Sequence, residues 1–304
     1  GWGLALCFNK LKKYKEALLL SEKIYQEHPD FNFIKSTYAL SLFMERIKQS
    51  SSSFDSKNLE KNLNMILHLE EDGRYFSGAA ALETVDYFSK NNNWEKVYEI
   101  SSKIDPNILS IESVKWEGKI FPSDREKWYL KITKACANLE KWIDCMNIAK
   151  KGLEDFPDVI WLKRSYALSY GNNGNIKEAI KLLEDLLYQK KDWFMYRDIA
   201  RMHKKDSNLI EEKKYLIEGC FTSRAVPDPR LRWKMYYDLG CNLLKSGDTE
   251  YGKLHIQLAY AAKKEAEWPI GENLHKIMTK HDIEEQFEKS AKRDKDQDIL
   301  KSNK

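Results

Sequence analysis

Apolar and small side chains recur along most of the chain at spacings of three and four residues, which predicts amphipathic helices rather than strands. Between residues 128 and 193 this helical pattern itself repeats after 34 residues, so that Ile132 and Cys145 correspond to Tyr166 and Ala179. One short helical pair cannot cover its own apolar faces. A fixed period of this length therefore predicts a solenoid in which successive helical pairs cover one another.

Small residues indicate where the two helices of a pair come close together. In the second block, Ala167 and Ala179 stand at corresponding places on the two helices, flanked by the larger Tyr166, Tyr170 and Leu183. We therefore predict that the helices touch at the two alanines, and that the flanking side chains pack against the neighbouring pair.

The second block ends its first helix with an aromatic residue and continues with Gly-Asn-Ile-Lys-Glu-Ala at 174–179, an order that resembles the tetratricopeptide repeat (TPR) family. The resemblance implies an all-α, right-handed α-solenoid of TPR-like helical hairpins with a capping helix. It also implies a groove, lined by the first helix of each pair, that binds a protein or peptide. The pair at 239–270 resembles TPR proteins of bacterial conflict and defence systems, some of which are fused to RNA-binding domains.

The breaks in the pattern predict how the chain is divided. We expect N-terminal TPR-like repeats with a truncated first one, an irregular connection, C-terminal repeats with a capping helix, and a charged disordered tail, over residues 1–106, 107–124, 125–287 and 288–304 respectively. Ser123 or Asp124 is expected to cap the helix that follows the connection. The polar run at 49–53 predicts a swollen turn, and the prolines at 226–229 predict an irregular bridge.

Composition excludes few classes of function. The 304 residues carry 51 Lys and Arg against 47 Asp and Glu, so the formal charge of +4 matters less than its distribution. The five cysteines are odd in number and lie in helical patterns, which favours reduced thiols and a cytoplasmic location. No run of 18 apolar residues predicts a membrane span. The sequence opens inside a helical pattern at Gly1, so we expect further residues to precede it.

The resemblance places ligand contacts on first-helix residues that face away from the partner helix, and spacings of three and four put these on one stripe per helix. The stripe is basic and aromatic and includes Lys127, Lys134, Trp161, Arg164, Phe194, Arg197, Arg201, Lys204, Lys234 and Tyr237, with Leu130, Leu168, Lys205 and Cys241 on the same spacing. This set contains no acid. Arginine donates two parallel hydrogen bonds to carboxylate or phosphate, which favours an acidic peptide or a nucleic-acid backbone. The competing interpretation is an ordinary solvated helix face.

Sequence motifs of catalysis are missing. The six histidines are scattered, and the chain has no zinc motif, phosphate-binding loop or nucleophile elbow, so we predict no enzyme activity, no metal and no cofactor. His203 stands where the repeat has a large ring and is expected to pack in the core. The leading hypothesis is a scaffold that binds an acidic peptide or partner protein, without membrane contact. RNA binding in the same groove, and a recruiting or regulatory role for a catalytic domain outside this chain, stay open as alternatives.

Overall fold

The computed structural model describes residues 1–48, 56–70, 76–223 and 228–285. Within these ranges the chain forms fifteen α-helices in chain order: α1 Trp2–Lys10, α2 Tyr14–Glu27, α3 Asn32–Leu42, α4 Ser56–Leu69, α5 Ser77–Lys90, α6 Trp94–Ser102, α7 Asp124–Asn138, α8 Trp142–Asp155, α9 Ile160–Asn172, α10 Ile176–Gln189, α11 Trp193–Lys205, α12 Leu209–Ser223, α13 Trp233–Lys245, α14 Thr249–Glu265 and α15 Glu272–Lys280. The helices pair in chain order as predicted, so that α7 packs on α8, α11 on α12 and α13 on α14.

The turns inside the hairpins share one backbone conformation. The second residue after the first helix adopts a left-handed conformation, as at Glu140 with φ 55° and at Gly174 with φ 104°. The next N–H then bonds back to the last turn of the helix, from Lys141 to the Cys136 carbonyl at 2.9 Å in the first of these hairpins. This arrangement satisfies carbonyls that the helix end leaves open, and it reverses the chain tightly.

Small side chains lie where the sequence predicted close helix contacts. One core cluster contains Ala167, Ala179 and Leu183, and all three side chains are completely buried. A Cβ atom on Gly171 of α9 would lie 2.5 Å from the Met202 sulfur and 2.7 Å from the Ala179 Cβ, so no larger residue fits there. Because Met202 belongs to α11, the next hairpin covers this face, as the repeat pattern requires.

The chain divides into two compact units, Gly1–Ser165 and Tyr166–Lys304, and the division falls within α9. The core of the first unit fills the space between successive helices, with Ile66, Val97 and Leu162 among its most buried members. In the second unit, α15 packs Leu274 and Met278 against α14 and so acts as the predicted capping helix. The tail predicted at 288–304 lies outside the described residues.

Several local features differ from a regular repeat. The segment Phe43–Lys48 continues α3 as a π-helix, and the connection contains a short 3₁₀ helix at Pro106–Ile108 followed by an antiparallel hairpin of β1 (Val114–Trp116) and β2 (Lys119–Phe121). Ser123 caps α7 as predicted, because its hydroxyl accepts a hydrogen bond from the Glu126 N–H at 3.1 Å. A second 3₁₀ helix at Pro229–Arg232 precedes α13. Residues 49–53, 226 and 227, which carry the predicted swollen turn and part of the bridge, are outside the described ranges.

Candidate binding face

The predicted stripe residues of the first unit make contacts within that unit. Lys127 pairs with the aspartate three residues before it, at 2.9 Å. The Lys134 ammonium lies 4.9 Å from the centre of the Trp94 ring, and the Arg164 guanidinium lies 5.8 Å from that of Trp161. Cations over aromatic rings are held by the negative face of the ring. These side chains are accessible but engaged locally.

In the second unit an ion pair joins the first helices of two consecutive hairpins. The Arg197 Nε of α11 donates to the Asp238 carboxylate of α13 at 2.6 Å. The two side chains are only 21% and 14% exposed, so solvent screens this pair less than a surface pair. Asp238 was missed by the sequence pattern, because it directly follows Tyr237 and does not share its three- or four-residue spacing.

A third helix, α14, contributes the cation of Lys263 to the same surface. The Trp233 ring at the start of α13 lies 4.3 Å from the Lys263 ammonium of α14, and the Lys234 ammonium lies 5.8 Å from the same ring. No acidic residue stands in the first turn of α13. Lys263 belongs to α14, which is the second helix of its hairpin. The spacing of first-helix residues therefore does not predict it.

The charges around Lys234 are predominantly positive. Protein atoms around the ammonium lower the pKa of Lys234, and the positive charges of Arg197, Arg201 and Lys263 lower it further, while Asp238 acts in the opposite direction. Neighbouring cations lower a lysine pKa because they disfavour its charged form. The cluster therefore carries mutual repulsion that a bound anion would relieve.

Lys204 extends this cluster along α11. Its charge acts on the Cys241 thiol of α13, although burial dominates there and raises the pKa of Cys241 to about 11. Cys241 is 9% exposed, so it is largely a core residue and not the open groove position that its spacing predicted. We name the surface formed by Arg197, Arg201, Lys204, Lys234 and Lys263, with Trp233, Tyr237 and Asp238, the basic face.

Aromatic rings form the apolar part of this surface. Tyr237 lies 6.5 Å from Trp233 between ring centres, and burial raises the pKa of its hydroxyl to about 12, so it stays a neutral hydrogen-bonding group. The predicted Phe194 is half-buried against Trp193 at 6.1 Å, with the two rings close to perpendicular. The structure thus brings five predicted residues of the second unit, Arg197, Arg201, Lys204, Lys234 and Tyr237, to one cluster.

The side chains outside the basic face that could carry chemistry include His203 and the cysteines. The His203 ring stacks on Tyr215 at 5.4 Å, as expected for a core position, and neither ring nitrogen has a hydrogen-bond partner among the described residues. Over the described ranges, no group of three His, Cys, Asp or Glu side chains is arranged to hold a metal ion. The five cysteines, all within the described residues, form no disulfide, and only Cys7 is exposed.

In the part of the chain that the structure describes, no helix combines the length and the apolar character that crossing a bilayer requires.

Stacked hairpins with left-handed turns, small contact residues and a capping helix define an α-helical repeat protein. No family profile matches the sequence, and no curated protein does. Solved structures do share the fold. A tetratricopeptide repeat protein from Parabacteroides merdae has a TM-score of 0.50 at 12% identity, with 93% of this chain and 97% of that chain covered.

Two larger proteins match at a similar level. The APC/C complex Cut9-Hcn1 has a TM-score of 0.53 at 10% identity, with 95% of this chain and 52% of that chain covered. The human IFIT1 dimer with m7Gppp-AAAA has a TM-score of 0.52 at 14% identity, covering 89% and 59%. At these identities the matches show the fold alone, and it is the all-α TPR solenoid that the sequence predicted.

Proposed function

We propose that the chain is a non-enzymatic interaction scaffold that binds an acidic segment of another protein on the basic face. The observation that carries this proposal is the cluster in which Arg197, Arg201 and Lys263 act on Lys234, with Asp238 as the opposing charge and Lys204 extending the cluster along α11. Opposite charge across an interface steers the encounter and selects the partner. An acidic segment supplies the missing negative charge.

The basic face also offers apolar contact. The Trp233 ring lies beside the Lys234 and Lys263 ammonium groups, and Tyr237 lies next to this ring. A bound segment therefore places carboxylates on the arginines and lysines and apolar side chains on the rings. Buried aromatic anchors supply much of the energy of protein interfaces, whereas exposed charges contribute less. The scaffold holds Arg197 in place before binding, because Asp238 already fixes its Nε. Less side-chain entropy is then lost on binding.

A nucleic acid is the second candidate ligand. The structural neighbour IFIT1 was solved with m7Gppp-AAAA, and a basic face with half-buried aromatic rings also suits a phosphate backbone. We favour the acidic segment because the cations of the basic face form one compact patch on three helices. Binding to RNA would instead show the steep salt dependence of counterion release. A recruiting role beside a catalytic domain outside this chain uses the same contact.

The test compares two variants of equal net charge. Arg201 and Lys204 are exposed, so Arg201→Glu with Lys204→Glu reverses the face without disturbing the core. The control Lys214→Glu with Lys276→Glu changes two lysines that are 64% and 67% exposed on α12 and α15. Arg197→Glu is avoided here, because it would set a carboxylate against Asp238 in a largely buried pair, whereas the acidic partners of Lys214 and Lys276 lie in more exposed pairs.

Binding is measured by fluorescence anisotropy with a degenerate acidic peptide library and with a single-stranded RNA. We expect wild type and control to bind the peptides equally, and the face variant to bind at least about tenfold more weakly. Circular dichroism checks that helicity is unchanged. Equal peptide binding by the face variant would remove the proposal, and binding of RNA alone would favour the second candidate.

The cellular location and the division of the repeats are two further proposals. A reducing, cytoplasmic location is supported by five cysteines that form no disulfide in the described chain. The division of repeats on either side of 107–124 is supported by the β-hairpin inserted there. Limited proteolysis that cuts first at this connection would support the division.

A further inference from the structure

The ion pair on the basic face uses only the Nε atom of the Arg197 guanidinium. Asp238 accepts from the Arg197 Nε, and no other partner of this guanidinium occurs among the described residues. The two terminal nitrogens are therefore not used by the described protein groups. A guanidinium fixed through Nε keeps its terminal nitrogens as a planar fork that matches two oxygens of one anion.

The charge of the cluster exceeds what one carboxylate neutralises. Arg197, Arg201, Lys234 and Lys263 contribute four positive charges, and Asp238 removes one, so three remain. A carboxylate on a bound segment brings one negative charge. A phosphorylated side chain brings about 1.5 to 2 negative charges and three acceptor oxygens at neutral pH. Burial is the main cause of the lowered pKa of Lys234, and the repulsion from neighbouring cations that adds to it is relieved more completely by the group of higher charge.

We propose that the basic face recognises a phosphate monoester on a serine or threonine of the bound segment. The Arg197 fork binds two phosphate oxygens, and Lys234 and Lys263 neutralise the remaining charge. Asp238 is a positioning residue, because it acts on the phosphate only through the orientation of Arg197. This inference rests on the proposed function and adds to it the chemical class of the group that anchors the partner.

The test uses three peptide libraries with identical degenerate acidic flanks and one fixed central residue, which is phosphoserine, glutamate or serine. We expect wild-type protein to bind the phosphoserine library about tenfold more tightly than the glutamate library, since one extra charge-assisted contact is gained. Equal binding of the phosphoserine and glutamate libraries would overturn the phosphate inference and leave the proposed function standing. Binding of none of the libraries would overturn both.

Two variants test the role of the ion pair. Arg197→Lys keeps the charge and loses the fork, and Asp238→Ala frees the guanidinium while making the face more positive. For both we expect the phosphoserine preference to fall to about twofold. For Asp238→Ala the affinity for the glutamate library should hold or rise, which a merely structural role would not produce. An unchanged preference in both variants would contradict the assigned geometry, and thermal melting confirms that each variant is folded.

Discussion

At the residue scale, His255 is a buried ionisable group that the binding face does not use. Its side chain is fully buried in α14, and its ring Nδ1–H donates to the Tyr251 carbonyl at 2.8 Å. The other ring nitrogen has no partner among the described residues. Burial lowers the pKa of His255 to about 4, and the hydrogen bond to Tyr251 only partly offsets this effect.

This predicts acid sensitivity with a defined sign. The unfolded chain binds a proton at His255 near pH 6.5, whereas the folded chain does so only near pH 4, so stability falls as pH decreases between these values. We expect His255 to account for a loss of about 2 kcal/mol between pH 7 and pH 5. Urea unfolding of wild type and His255→Gln at both pH values measures it. The exposed His275→Gln should keep the wild-type loss, and an equal loss in all three proteins would contradict the assignment.

Single residues also show where sequence reasoning reached its limit on the binding face. Arg197, Arg201, Lys204, Lys234 and Tyr237 followed from helical spacing, because one face of a helix repeats every three or four residues. Asp238 and Lys263 did not, since their positions depend on which side chains of different helices meet. Spacing within a helix reports its own faces, whereas a contact between α11, α13 and α14 depends on how the helices pack.

At the scale of the element, the hairpin turn is the feature that sequence and structure describe most consistently. Glu140 and Gly174 are equivalent in the repeat, and both adopt the left-handed conformation. Glycine enters this region without steric cost, but a side chain there crowds the following carbonyl. The exposed Glu140 therefore keeps the turn at a cost that Gly174 avoids.

Exchanging the residues should move stability in opposite directions. We expect Glu140→Gly to raise the free energy of unfolding by about 0.5–1 kcal/mol and Gly174→Ala to lower it by about 1 kcal/mol. Urea denaturation provides the measurement. Glu140→Ala removes the same charge but keeps a side chain, so it should give no gain. If Glu140→Ala raised the free energy of unfolding as much as Glu140→Gly, the charge of Glu140 and not its backbone conformation would account for the gain.

Other elements were not predictable from the period. The π-helix at Phe43–Lys48 and the strands β1 and β2 lie where the repeat is interrupted, and there the sequence no longer has neighbouring repeats for comparison. Val114 and Ile120 of the two strands are 55% and 68% exposed, so burial does not organise this hairpin. Backbone pairing does, with Val114 opposite Phe121. Patterns of burial predict elements that bury a face, and these short strands bury little.

At the scale of the whole molecule, net charge is a poor guide to binding. The formal charge is only +4, because 47 acids are spread among 51 basic residues. A local excess nevertheless forms around Lys234, where the charges of Arg197, Arg201 and Lys263 outnumber that of Asp238. A local field of this kind acts on a ligand within about 10 Å at ordinary ionic strength. The competing interpretation, a solvated helix face, predicts independent charges without a common ligand.

The most direct measurement follows individual lysines during binding. Lysines are labelled by reductive ¹³C-methylation, assigned by Lys→Arg variants, and observed by NMR as the acidic phosphoserine library is added. We expect the Lys234 and Lys263 signals to shift together, the pKa of Lys234 to rise on binding, and the Lys214 and Lys276 signals to stay in place. Saturable binding in which Lys234 and Lys263 do not respond would contradict the assignment of the basic face as the binding surface.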